Sequence, residues 1–242
     1  LARFLYVLVG AAPDHAGQHR PALSLRRLPK VFPVKYTLTR TVKPTADVVT
    51  MTEAHAQLRV DTFGSPPVSP EDTKIASLLT AIVESLDAGT GWLGRALAPQ
   101  TWKLGLCDFP ATSWVPIRLP FPPFIEVVSV EYTQTDGTLV TLVQDTDFRV
   151  LVADGQAVLV PPYNGAWPTD ARDDYDSVRI TFRCGYVEGS PEVAAVPEQI
   201  KNYILASLTD QFDSRGVDAP GVSSKITAAV ENSMNSLRVY WP

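Results

Sequence analysis

The sequence predicts an α+β protein: a helical bundle with a small antiparallel β-module inserted between its second and third main helices. Three observations carry that prediction. Apolar residues recur at helical spacing through Ile75, Leu78, Leu79, Ile82, Val83 and Leu86. From Thr101 the period drops to two, with Asp-Gly turns at 136–137 and 154–155. A helical period returns at Ile200, Tyr203, Ile204, Leu208 and Phe212. Periods of about 3.6 and 2 separate helices from half-buried strands. The expected divisions are a basic leader over residues 1–46, an N-terminal helical part over 47–100, the β-module over 101–190, and C-terminal helices with a tail over 191–242.

The leader opens LARFLYVLVGAAPDHAGQHRPALSLRRLPK and, through residue 46, holds eight Lys/Arg against the single acid Asp14. Three readings stay open. Arg3 followed by FLYVLVGAA resembles a short signal peptide. Alternatively, these residues precede a natural start near Val34, in VKYTLTRTVKP. A third reading is a basic arm that reaches a neighbour. The second is preferred, because ordered structure is expected to begin only after Pro44. His15 and His19 have the spacing of helical metal ligands, but Gly17 lies between them and no carboxylate pair follows, so no metal is assigned.

Each later element has its own local cause. In DVVTMTEAHAQLRV, Thr50 or Thr52 can cap, and Thr50 and Glu53 have the spacing of a capping box, with Ala54, Leu58 and Met51 as a short apolar face. Pro66, Pro67 and Pro70 then break the chain. Ser69-Pro70-Glu71-Asp72 starts the long helix, with proline and acids in its first turn. GTGWLG, residues 89–94, spells a dinucleotide-binding pattern. That pattern requires a strand before the glycines and a helix after them, and here a helix precedes. Gly89 and Gly91 are read instead as helix stops in left-handed backbone.

TWKLGLCDF, VVSVEYTQTDGTLVTL, DFRVLVADGQAVLVP and SVRITFRCGY are read as about five or six strands. In the last, Val178, Ile180, Phe182 and Cys184 alternate with Arg179, Thr181 and Arg183, giving one apolar and one polar face. Pro120, Pro122 and Pro123 in RLPFPPF stiffen the chain at the start of the module. Helix resumes after Val196-Pro197-Glu198, and a last amphipathic segment with Ile226, Val230, Met234 and Leu237 leads into RVYWP.

The 242 residues are ample for a core, and no apolar run reaches the roughly 18–20 residues of a membrane span. Residues 47–242 hold 13 basic and 25 acidic residues, a poor composition for gripping phosphate backbones. Cys107 and Cys184 form no ligand motif and are read as buried free thiols or a single bridge. His55 is read as packing or surface rather than catalysis, and the serines at 65, 69, 77 and 113 lack a nucleophile elbow. Asp170, Asp173, Asp174 and Asp176, in TDARDDYD, offer oxygens for Ca²⁺ but lack the EF-hand pattern; they are read as a solvated loop. Asp145 and Asp147 flank a turn. No catalytic, cofactor-binding or metal-binding residue is assigned, and no cofactor is expected.

Six blocks in order carry a resemblance: VTMTEAHAQLRVD; IASLLTAIVESLDAGTGWLGRAL with QTWKLGLCDFP; IRLPFPPFIEVVSVEYTQTDGT; Trp167-Pro168; VRITFRCGY; and VPEQIKNYILASLTDQFDSRG. Together, over about residues 48–240, they resemble the head–tail connector (adaptor) proteins of long-tailed bacteriophages and gene transfer agents. The resemblance implies a twelve-membered ring of copies beneath the portal protein, at the head–tail junction of a virion assembled in the host cytoplasm. It implies viral DNA passing through without sequence-specific binding, and a stopper or tail terminator docking below. It also implies that Leu237, Arg238, Val239, Tyr240 and Trp241 contact the portal. Tyr and Trp suit that role because each buries a large rigid surface at low entropy cost; the rival reading is that Tyr240 and Trp241 pack on their own bundle. Two alternatives remain: a stopper or tail-completion protein of the same neck, or a secreted ligand-binding β-module with Trp102, Trp114 and Trp167 as stacking surfaces.

Overall fold

The computed structural model describes residues 36–112, 115–191, 193–213 and 234–240. In chain order these contain β1 (Tyr36–Val42), α1 (Met51–Leu58), α2 (Asp72–Leu86), β2 (Gln100–Leu106), β3 (Ile117–Arg118) and β4 (Phe124–Thr133). There follow β5 (Leu139–Leu142), β6 (Arg149–Ala153), β7 (Gln156–Val160), β8 (Val178–Cys184) and α3 (Glu198–Asp213). The fold is therefore mostly β, and the expected helical bundle with a small β-module is corrected. Two antiparallel sheets form the larger part: a five-stranded sheet ordered β1-β2-β8-β4-β5 and a three-stranded sheet ordered β3-β7-β6.

The error had two physical sources. β1 buries almost nothing, with six of its seven residues exposed and only Leu38 half-buried, so it shows no alternation of burial to read. It nonetheless pairs with β2 from Tyr36↔Leu106 to Val42↔Thr101, and ordered structure begins before Pro44, not after it. The two-residue β3 is too short to carry a period and exists only through its partner β7.

The local signals otherwise act as expected. Thr50 and Glu53 close a full capping box at α1. Along α2, Ile75, Leu79, Ile82 and Leu86 are buried, with Leu78 and Val83 packed beside them. In β8, Val178, Ile180, Phe182 and Cys184 are buried and the residues between them face outward. Asp154 and Gly155 both have positive φ, which closes the two-residue β6–β7 hairpin. The β4–β5 hairpin turns through Gly137 at φ 92°.

Two apolar clusters result. One lies between the sheets and takes in Trp102, Leu104, Val130, Ile180 and Phe182 from the larger sheet and Ile117, Ala157 and Leu159 from the smaller. The other joins α1, α2 and α3 through Ala54, Ile75, Ile82, Ile200, Ile204 and Leu208. The proline segment is tied to the sheet side of the molecule. The Pro122 carbonyl accepts from the Ala96 amide (3.2 Å), the Pro123 carbonyl accepts from Gly185 (2.8 Å), and buried Phe121 packs on Trp102. Cys107 and Cys184 form no disulfide; burial pushes the Cys184 thiol far up. Among the described residues, no helix is long and apolar enough to cross a membrane.

Candidate docking surface at the C-terminal segment

The glycine run after α2 builds a receptor. Gly89 is left-handed (φ 83°), as a helix stop requires. Gly91 is not: it is needed because a Cβ there would strike the backbone of Leu86 and Asp87 at the helix end. Gly94 has φ 66°, and the space its Cβ would take is filled by the Val239 carbonyl. The chain from Trp92 to Arg95 thus accepts the C-terminal segment backbone to backbone.

That segment is held at four points. Met234 is fully buried in the helical cluster, with Leu237 packed against it. The Val239 amide donates to the Leu93 carbonyl at 3.0 Å. Arg95 donates through Nε to the Leu237 carbonyl and also bonds the Tyr186 hydroxyl, whose pKa burial raises. The Arg238 guanidinium lies over Trp92 at 5.2 Å and over Tyr240 at 4.6 Å, a double cation–π contact.

Of the portal-contact candidates, Leu237, Arg238 and Val239 are half-buried against the body, and Tyr240 is 74% exposed. Trp241 lies outside the described residues, as do His15, His19, Ile226 and Val230. Sequence reasoning missed the receptor, Trp92, Leu93, Gly94 and Arg95. The available signal was Gly94, a glycine too far beyond the helix end to serve as its stop.

A second polar constellation ties β1 to the helical part. The Asp87 carboxylate, 5% exposed, accepts from the Leu97 amide (2.9 Å), from Gln100 Nε2 (2.9 and 3.1 Å) and from Arg40 (3.1 Å). Burial is the dominant influence and raises its pKa despite those donors. Arg40 also lies 5.6 Å over the Trp102 ring. A cleft of about 220 Å³ opens beside it, lined by Arg40, Lys43, Val48, Leu79 and Asp87.

Several of the acids weighed as calcium ligands, and His55, have local partners. His55 Nε2 lies 2.5 Å from Asp72, and Asp72 also accepts from the Ser69 amide, the main cause of its lowered pKa. Asp170 accepts from Gln134, Asp174 from the Tyr175 amide, and Asp147 from the Val143 amide. Among the described residues, no group of three His, Cys, Asp or Glu is placed to hold a metal ion.

No protein-family model matches the chain, and no curated protein matches it. Solved structures do. One is a chain in the neck of an empty gene transfer agent (GTA) particle computed with C6 symmetry, with TM-score 0.62 and 18% identity over 85% of this chain and 97% of that one. A chain in the virion of the native GTA particle gives TM-score 0.60 and 16% identity, with 85% and 96% covered. A chain in the native GTA neck computed with C12 symmetry gives TM-score 0.57 and 16% identity, with 85% and 97% covered. The resemblance read from the six sequence blocks and the architecture agree: the chain has the fold of chains found in the neck of the gene transfer agent particle.

Proposed function

We propose that this chain is a structural virion protein, an adaptor ring between portal and tail that extends the DNA channel. The observation that carries this reading is the shared fold over 85% of the chain with chains of a particle neck computed with C6 and C12 symmetry. Repetition about an axis is what a ring of identical copies requires. The acidic body supports the channel reading, since it offers DNA little to grip. No catalytic step is assigned; the activity consists of contacts to neighbouring copies, to the portal above and to the stopper or tail terminator below.

Leu237, Arg238, Val239, Tyr240 and Trp241 are proposed as the portal contact. Support comes from Tyr240, an exposed aromatic ring braced by Arg238 at the end of an otherwise anchored segment. The test is to interrupt the gene in a particle-producing strain and image the lysate. DNA-filled or leaking heads beside free, complete tails support the reading. Complete particles with tails attached overturn it. Pull-down of the portal by the intact chain but not by a chain ending at Asn235 supports the adaptor role; equal capture by both overturns the assignment of the contact. Capture of the tail terminator but not the portal by the intact chain moves the protein to the stopper position.

A further inference from the structure

β1 is held by its backbone and by a few polar side chains rather than by apolar burial. Only Leu38 is half-buried. The receptors for it are specific. Gly105 on β2 leaves a notch in which the Thr37 hydroxyl meets the Asp176 carboxylate, and a Cβ at Gly105 would collide with both. Three residues on, Arg40 reaches Asp87 at 3.1 Å and Gln100 at 3.3 Å, and lies over Trp102. The Thr41 hydroxyl donates to the Thr101 carbonyl at 3.2 Å. Where an extended segment adds to a sheet edge, main-chain bonds supply affinity and side-chain receptors supply selectivity. The β2 edge has both, and they select Thr at one position and Arg three residues later.

We propose that the β2 edge is a strand-docking site for Thr37–Arg40, and that in the assembled ring each copy's β1 fills the β2 edge of the next copy. The inference rests on the ring reading above. The contacts are the same whichever copy supplies the strand, so exchange sacrifices little; swapping an identical element is a low-cost route to assembly. Passed head to tail around an axis, such an exchange closes into a ring. The hinge is Lys43–Asp47, a stretch without helix or strand that is exposed except at half-buried Pro44. Asp87 explains why the edge does not stay empty: without Arg40 its buried carboxylate has no cation beside it.

Thr39 and Lys103 are register partners across β1 and β2. A chain carrying Thr39→Cys, Lys103→Cys and Cys107→Ser is oxidised both as the dilute isolated chain and in purified particles. Intrachain links in the dilute chain and a covalent ladder of dimers and larger multimers from particles are expected. Intrachain links alone from particles overturn the exchange. If the chain is absent from particles, the neck reading falls instead. The docking site is then decided by mixing two chains, each with Cys107→Ser and one introduced cysteine, Thr39→Cys in one and Lys103→Cys in the other, at high concentration. A mixed disulfide dimer supports exchange, and monomers alone overturn it. Adding Arg40→Ala is expected to lower interchain yield severalfold while Lys43→Ala leaves it unchanged; equal yields from both overturn the selectivity.

Discussion

Replacing Arg40 with alanine leaves the Asp87 carboxylate buried without its cation. A hydrogen bond to a charged group contributes about 1.5–3 kcal/mol. Two facts place the expected loss near the low end of that range. The Arg40 side chain is 31% exposed, so water screens the pair. Asp87 also keeps its bonds from Leu97 and Gln100, so the charge is not stranded, and the roughly 3–5 kcal/mol of a fully broken buried pair does not apply. Loss of the contact over Trp102 adds about 0.5 kcal/mol. The sum is about 2 kcal/mol, or a fall in Tm of about 4–8 °C for a chain of this size. Urea denaturation of the wild type, Arg40→Ala, Asp87→Asn and the double variant measures it. A coupling energy of about 1 kcal/mol or more between the two sites is expected. A loss below about 0.5 kcal/mol for Arg40→Ala, or strict additivity in the cycle, refutes the view that this pair fastens β1 to the helical part.

The same carboxylate imposes a pH dependence. Its folded pKa is raised by burial, so its contribution is fully present below the ordinary carboxylate value and is lost as pH rises through the raised value; stability curves of wild type and Asp87→Asn should differ by that decline, and parallel curves would contradict it. Gly94→Ala forces the Val239 carbonyl out of its cradle, so hydrogen exchange at the Val239 amide should rise to that of an unprotected amide while α2 and β8 keep their protection. Ile204→Ala opens a cavity in the helical cluster, where the residue is fully buried, and should cost about 2–5 kcal/mol in denaturant unfolding.

Much of the site was illegible because it is built from long-range backbone contacts. The portal-contact candidates came from a family resemblance, and nothing in RVYWP reveals that Val239 bonds Leu93 or that Arg238 lies over Trp92. Asp87 reads in sequence as one more acid after a helix. Its partners Leu97 and Gln100, from the run into β2, and Arg40, from β1, arrive from two separate stretches of chain.

The sequence by itself determined the elements whose cause is local. Thr50 and Glu53 start α1, and the spacing from Ile75 to Leu86 makes α2 amphipathic. The Asp-Gly pair at 154–155 turns one hairpin, and alternation in VRITFRC orients β8. Each works because residues within about four positions of one another set backbone angles or share a face. Tertiary structure alone decided that β1 is a strand, that the larger sheet runs β1-β2-β8-β4-β5, and that the C-terminal segment returns to the glycine loop. A solvent-exposed edge strand leaves no hydrophobic period in the sequence. Its partner is chosen by main-chain bonds that every residue can offer, so only the assembled sheet edge, with its notch at Gly105 and its buried Asp87, fixes where the strand docks.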